Sequence, residues 1–277
     1  MVPTARSEPH AAGAVVIRSL ERLNEQTAAA ELYRSVFAYS PGTSSVSPRL
    51  LRSLIDNGGS ALGAFDRGDR LVGFAYGFTA VHGGAPFHYS QATVIDRSAQ
   101  GLGIGQALKL EQARVARSTG VATMRWSYDP YLVANAHFNL SRLGASGRWF
   151  HPDYFGEPNT DRLVVEWQLD PVTREARLER SAALRAVAVK EIVRTSPGIA
   201  DGTAEGVIDD LGGARWIAFA IPEGRSVAKG RAREALRGTI VRAAQDGLAA
   251  LACDTVEFCG TTRQPRGRSA AYIFGRL

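Results

Sequence analysis

Between residues 100 and 105 the chain reads Gln100-Gly101-Leu102-Gly103-Ile104-Gly105, three glycines in five positions, set between an apolar β-rich run and a helical pattern. Glycine lets a backbone come close to a ligand. The first N–H groups of a helix lack intrahelical partners and carry the positive end of its dipole. The chemistry on offer is the holding of a phosphate or pyrophosphate, although a glycine turn that only joins strand to helix would read the same way. Two better-known phosphate loops do not fit. A P-loop needs Lys-Ser or Lys-Thr after its last glycine, and Gln106-Ala107 follows here; a dinucleotide fingerprint belongs in the first βαβ unit, and this loop comes after the fourth strand.

The elements that must position this loop follow from periodicity. Ala14–Leu20 predicts a first strand, with Asn24 capping a helix whose buried face carries Leu32, Val36, Tyr33 and Phe37. Ser47-Pro48 opens a second helix, on which Leu50, Leu51, Leu54 and Ile55 form the apolar stripe. The runs SALGAF and LVGFAYGFTA flank Asp66-Arg67-Gly68-Asp69 and predict a hairpin. Strand His88–Ile95, the glycine loop, helix Ile104–Ser118, strand Ala122–Tyr128, helix Leu132–Leu143 and strand Leu163–Leu169 complete the series. Read together, residues 13–170 form one α/β domain with a mixed sheet flanked by helices, after a loose leader at 1–12. Residues 171–277 read as an α+β extension: a helix over 174–193, a strand from Trp216 to Ile221, a long helix over 228–251 interrupted at Gly238 and Gly247, and closing strands at 255–258 and 270–274. The runs WIAFAI and AAYIF are too apolar to stay in water and too short for a separate core, which predicts that the extension packs on the first domain.

With loop and element order in place, the chain resembles the GNAT superfamily of acyl-CoA N-acyltransferases. That family's loop reads Q/R-x-x-G-x-G/A between the fourth strand and the third helix, and Gln100, Gly103 and Gly105 match it. Tyr128-Asp129-Pro130, Asn135 to Leu140, Leu143-Gly144-Ala145, Tyr154-Phe155-Gly156 and Thr160 to Trp167 look like a GNAT subgroup with a C-terminal extension, in which Ile221-Pro222-Glu223 precedes a long helix. The resemblance implies that strands 88–95 and 122–128 splay apart. Acetyl-CoA or another acyl-CoA would lay its pantetheine arm in the gap against Thr93, Val94 and Ile95. Its pyrophosphate would rest on the loop, with Gln100, Gly101, Gly103 and Gly105. Asn135 and Asn139, four apart on one helical face, would offer amides to the thioester or the arm, or else serve as helix-surface and capping hydrogen bonds.

Attack of an amine on a thioester needs a deprotonated amine, a polarised carbonyl and a proton for the departing thiolate. The family's tyrosine acid falls at Leu140 here, and Gln91 stands where subgroup relatives carry histidine. Tyr154, with Tyr131 and Tyr128 as further phenols, is the substitute acid. Asp129 is the carboxylate best suited to bind or deprotonate the amine. The expected activity is transfer of an acetyl- or succinyl-like group to a small-molecule amine such as an amino acid, by direct attack in a ternary complex. The alternative is a non-catalytic acyl-CoA-binding sensor or partner subunit with a degenerate site.

Composition narrows the rest. At 45% hydrophobic and 22% charged residues the 277-residue chain has material for a large core, which excludes wholesale disorder. Arginine outnumbers lysine, which occurs only at 109, 190 and 229, and the net charge of +6 arises mostly beyond residue 170. That surplus reads as a solvated helix surface, and Arg263, Arg266 and Arg268 lack the neighbouring aromatics that would stack nucleic acid. Cys253 and Cys259 are too few for a disulfide framework and read as buried small hydrophobes. The five histidines show no metal-ligand spacing. No segment reaches the length of a membrane span, and the first residues lack an apolar signal core, so the expectation is a cytoplasmic protein without metal, membrane or nucleic-acid partner.

Overall fold

A computed structural model describes residues 10–12, 15–38, 46–195, 203–208, 213–220, 227–258 and 267–277. The chain divides into two compact units, residues 1–126 and 127–277. The fold class is mixed α/β, as the element pattern implies, and Pro171 lies inside the second unit at the start of a helix.

In the first unit the strands β1 (His10–Ala12), β2 (Val15–Ser19), β3 (Ser60–Phe65), β4 (Leu71–His82) and β5 (Ala85–Ile95) pair antiparallel in chain order. β6 (Thr123–Tyr128), within which the division falls, pairs parallel with β5. Residues 10–12, read as leader from sequence, are therefore a strand paired with β2. On one face of the sheet lie α1 (Leu23–Phe37) and α2 (Pro48–Asp56), packing Ala29, Leu32 and Leu51 against Phe74, Tyr76 and Val94. On the other, α3 (Ile104–Ser118) sets Ile104 and Leu108 against Ile17, Ala64 and Ala75. Ser47 stands at the N-cap of α2 as expected, but the N-cap of α1 is Arg22 and not Asn24. Glu25 accounts for the shift: it accepts from the Arg22 N–H at 3.1 Å and from Arg18 Nη1 at 2.6 Å, satisfying the helix start from within.

The second unit contains α4 (Val133–Ala136), continued as a π-helical turn over His137–Arg142, then β7 (Ser146–His151), β8 (Arg162–Gln168), α5 (Pro171–Thr195), β9 (Thr203–Ile208), β10 (Ala214–Ala220), α6 (Gly230–Gln245), β11 (Ala249–Phe258) and β12 (Gly267–Gly275). These strands pair antiparallel in the order β8-β7-β11-β12-β10-β9. α5 sets Leu184, Ala188 and Ile192 against Trp216, Ala218, Leu251 and Ile273. Three sequence expectations change here. β7 and β9 were not foreseen, and the long helix ends at Gln245, because Gly247 turns the chain with φ +71° and Ala249–Leu251 enter β11. Gly238, by contrast, does not interrupt α6. Ser141 Oγ and β11 hold each other through Cys253, whose carbonyl accepts at 2.8 Å and whose N–H donates at 3.1 Å. Cys253 is fully buried, and Cys259 and the Ile221-Pro222-Glu223 turn lie outside the described residues.

Candidate functional site

Strand β5 carries an irregularity that sets the site. Ser90 pairs with Gly77 and Ala92 with Tyr76, so Gln91 is an extra residue, a β-bulge. An extra residue shifts the alternation of faces. Before it, His88 and Ser90 face α3; after it, Ala92 and Val94 pack toward α1 and α2, while Ile95 joins the α3 side. The registered pairs with β6 are His88 with Met124 and Tyr89 with Arg125, both ahead of the bulge. β5 then runs on to Ile95, and among the described residues that stretch pairs with β4 alone. It therefore offers backbone N–H and C=O groups along a free edge. Thr93 Oγ1 on the same stretch is buried without a hydrogen-bond partner among the described residues, and Val94 is buried.

β5 leads straight into the glycine loop. Asp96 Oδ1 accepts from the Ser98 N–H at 2.9 Å and caps a short 3-10 turn at Arg97–Ala99, and Gln100 Nε2 donates to the Ile95 carbonyl at 3.3 Å. Gly101 and Gly103 then take φ of +81° and +79°, the left-handed region that glycine reaches without strain. No atom lies within 4 Å of a Cβ built on either, so both border open space. α3 starts at Ile104 with Gly103 as its N-cap. Its first intrahelical bond joins the Ala107 N–H to the Gly103 carbonyl at 3.1 Å. The N–H groups of Ile104, Gly105 and Gln106 thus have no helical acceptor, Gly103 brings no side chain to cap them, and the first turn contains no acidic residue. The combination is an anion cradle at the end of a free strand edge.

Behind β5 lies a polar cluster that the sequence did not flag. Ser60 Oγ accepts from Gln112 Nε2 at 2.9 Å and lies 3.0 Å from His88 Nε2. Lys109 Nζ donates to Ser90 Oγ at 2.7 Å and stands 3.9 Å from the centre of the Trp126 ring. His88, Ser90, Lys109 and Gln112 are all buried, and no carboxylate pairs with Lys109 among the described residues. Burial holds the Lys109 ammonium well below its usual range and, with Lys109 adding repulsion, lowers His88 to about 4. A Cβ on Gly77 would fall 2.6 Å from His88 Nε2 and against the Tyr89 carbonyl, so glycine there admits the cluster. The usable sequence signal was a lysine at an apolar-face position of α3, four residues on from Gly105.

The remaining candidates belong to the second unit. Asp129 Oδ1 accepts from the Tyr131 N–H at 2.8 Å in a tight turn. Tyr154 sits on the β7–β8 turn, 39% exposed, its ring edge-on to His151 and Phe155. Asn135 is exposed while Asn139 is buried within the π-helical turn, so the two amides do not share one environment as the four-residue spacing had suggested. Leu140, at the position of the family's acid, is fully buried. Tyr131, held as a spare phenol, donates instead to Asp161 Oδ2 at 2.6 Å. Burial opposes ionisation of Asp161, yet the Tyr131 hydroxyl, the Asp153 N–H at 3.0 Å, and Arg237 and Arg233 keep its carboxyl below the usual range. No group of three His, Cys, Asp or Glu side chains gathers as metal ligands among the described residues, and no helix among them is long and apolar enough to cross a membrane.

No family model matches the chain, and no curated protein matches it. Among solved structures it is similar to a protein of Desulfovibrio desulfuricans described as an acetyltransferase of the GNAT family, with 17% identity, 57% of this chain and 100% of that chain covered, and a TM-score of 0.45. It is also similar to the ribosomal-protein-S18-alanine N-acetyltransferase of Escherichia coli, with 19% identity, 56% and 94% covered, and a TM-score of 0.45. A third likeness is to an aminoglycoside 6'-N-acetyltransferase complexed with coenzyme A, with 15% identity, 56% and 97% covered, and a TM-score of 0.44.

Proposed function

We propose that the protein is an acyl-CoA-dependent N-acyltransferase with its donor on the first unit. The observation that carries this reading is the course of β5: it leaves β6 at Tyr89, bulges at Gln91 and runs as a free edge to Ile95 into the uncapped start of α3. An acyl-CoA has complementary chemistry along its length. The amides of the pantetheine arm pair with the backbone of Thr93, Val94 and Ile95, as a further strand would, and the orphaned Thr93 hydroxyl finds a partner there. The pyrophosphate takes the free N–H groups from Gly101 to Gly105, a placement that the helix dipole favours.

In this reading a neutral amine attacks the thioester carbonyl in a ternary complex, the tetrahedral adduct collapses, and the CoA thiolate leaves and takes up a proton. Asp129, with one oxygen committed to the Tyr131 N–H, is the carboxylate assigned to the amine, and the Tyr154 phenol is assigned as the proton source. Asn135 and Asn139 remain assigned to the donor arm, and the acceptor is a small-molecule amine such as an amino acid.

The test joins binding and turnover. Calorimetric titration with acetyl-CoA should give a single site. Gly103→Val should weaken it by about ten- to a few hundredfold, since each charge-assisted bond to phosphate is worth roughly 1.5 to 3 kcal/mol. Circular dichroism and thermal unfolding check the fold of the variant, because at φ +79° a β-branched residue strains the backbone even where its side chain meets open space. Release of free CoA thiol from acetyl- or succinyl-CoA with a pool of amino acids should then identify an acceptor. A folded Gly103→Val protein that binds CoA as tightly as the parent would remove the reading. Tight binding without thiol release across a broad amine panel would leave an acyl-CoA sensor in its place.

A further inference from the structure

The second unit contains a mostly apolar cavity of about 70 Å³ whose charged lining residues are all arginines. α5 supplies Arg177, Arg180 and Ser181, at spacings of three and four residues and thus on one helical face. Ser146 at the start of β7 and Arg276 just past β12 complete the polar lining. The two serines are buried and already oriented: Ser146 Oγ accepts from Arg177 Nη1 at 3.1 Å, and Ser181 Oγ donates to the Leu251 carbonyl at 2.8 Å. Among the described residues neither Arg180 nor Arg276 has an ion pair or a side-chain hydrogen bond. The carboxylate that acts on Arg177 is Glu166, and it lies in a 2.5 Å ion pair with Arg148.

Three guanidiniums line the cavity, those of Arg177, Arg180 and Arg276, the last two on exposed residues. Arg177 is half-buried, and its guanidinium lies below its ordinary range because of burial, an effect that Glu166 opposes and that the like charges of Arg148 and Arg180 reinforce. Holding the half-buried Arg177 guanidinium near other guanidiniums costs stability. A bound oxyanion removes that cost, and guanidinium forks match the geometry of carboxylate and phosphate oxygens. At roughly 30 Å³ of liquid volume per water, a cavity of this size holds about two waters, room for no more than one anionic head group.

We propose that this cavity is a binding site for a small soluble oxyanion, the phosphate or carboxylate group of a metabolite, held by Arg177, Arg180 and Arg276. It consists of residues other than those assigned to the acyl-CoA, and it stands or falls independently of that assignment.

The experiment is thermal unfolding of the full chain in sodium phosphate, sodium succinate and sodium chloride at matched ionic strength, with calorimetry using phosphate and succinate as probes. A saturable rise in Tm and a stoichiometry of one with either probe is expected, and the arm that responds tells phosphate from carboxylate. Arg177→Gln/Arg180→Gln should weaken that binding at least tenfold while far-UV circular dichroism and affinity for CoA stay within twofold of the parent. Arg276→Gln, on an exposed residue at the edge of the cavity, provides the same readout should the double variant fail to fold. Equal Tm in all three salts overturns the proposal. So does phosphate or succinate binding that survives the substitutions, or a parallel loss of CoA affinity.

Discussion

Lys109 donates to Ser90 from the buried face of α3 at 2.7 Å, which ties the loop-bearing helix to the residue beside the β5 bulge through an amine with no counter-charge among the described residues. The contact matters for geometry because the bulge and the start of α3 together define the proposed donor site. It matters for energetics because, among the described residues, an ammonium ion there is stabilised by the Ser90 hydroxyl and the Trp126 ring alone.

The buried amine makes stability depend on alkaline pH. Its folded-state pKa lies below the unfolded value, so across the interval up to about 10.5 the unfolded chain binds a proton that the native chain does not. Stability therefore rises with pH there, by at most about 1.4 kcal/mol per unit. Lys109→Met should abolish that rise. Urea unfolding of both proteins at pH 7, 8.5 and 10 checks it, and parallel pH profiles would show that Lys109 is not the origin.

His88 predicts a separate acid limb. Burial, together with Lys109, lowers it to about 4 against an ordinary 6.5, so its contribution is present above 6.5 and is lost as pH falls through 4. The loss amounts to about 3 kcal/mol. Unfolding measured at pH 7 and pH 4.5 should show a smaller drop for His88→Gln than for the parent.

Asp161 is the buried junction of Tyr131, the Asp153 backbone, Arg233 and Arg237. Asp161→Ala strands the Tyr131 hydroxyl and the Asp153 N–H, removes the ion-pair partner of two part-exposed arginines, and should cost about 2 to 4 kcal/mol. Tyr131→Phe removes one neutral donor and should cost about 1 to 2 kcal/mol. Equal losses in denaturant titrations would mean that the arginines add nothing to the junction.

Residues beyond 170 complete the core of the second unit. β11 pairs with β7, Ser141 is bonded to Cys253, and the Tyr272 hydroxyl donates to the Pro130 carbonyl. Truncation after residue 170 should therefore leave a protein that aggregates or binds hydrophobic dyes. A protease-resistant fragment 1–170 that retains full affinity for acetyl-CoA would contradict this.

Elements with strong local signals were legible without a structure. Pro48 behind Ser47, the hairpin turn at 66–69 and the apolar spacing of α3 each encode their geometry within a few residues, and so did the placement of the glycine loop between a strand and a helix. The tertiary structure decided whatever depends on partners distant in sequence. Gln91 becomes a bulge only because β4 sets Gly77 opposite Ser90, and that shift reverses the faces of Thr93 and Val94. Ala249–Leu251 are compatible with a helix by composition and become a strand because β12 supplies the ladder. Lys109 and His88 look like ordinary polar residues until packing removes water from both, and Arg276 joins Arg177 and Arg180 at one cavity only when α5 lies beside β7 and the end of β12. Local propensity depends on a few neighbouring residues, whereas register, desolvation and charge clustering are sums over contacts that exist only in the folded chain.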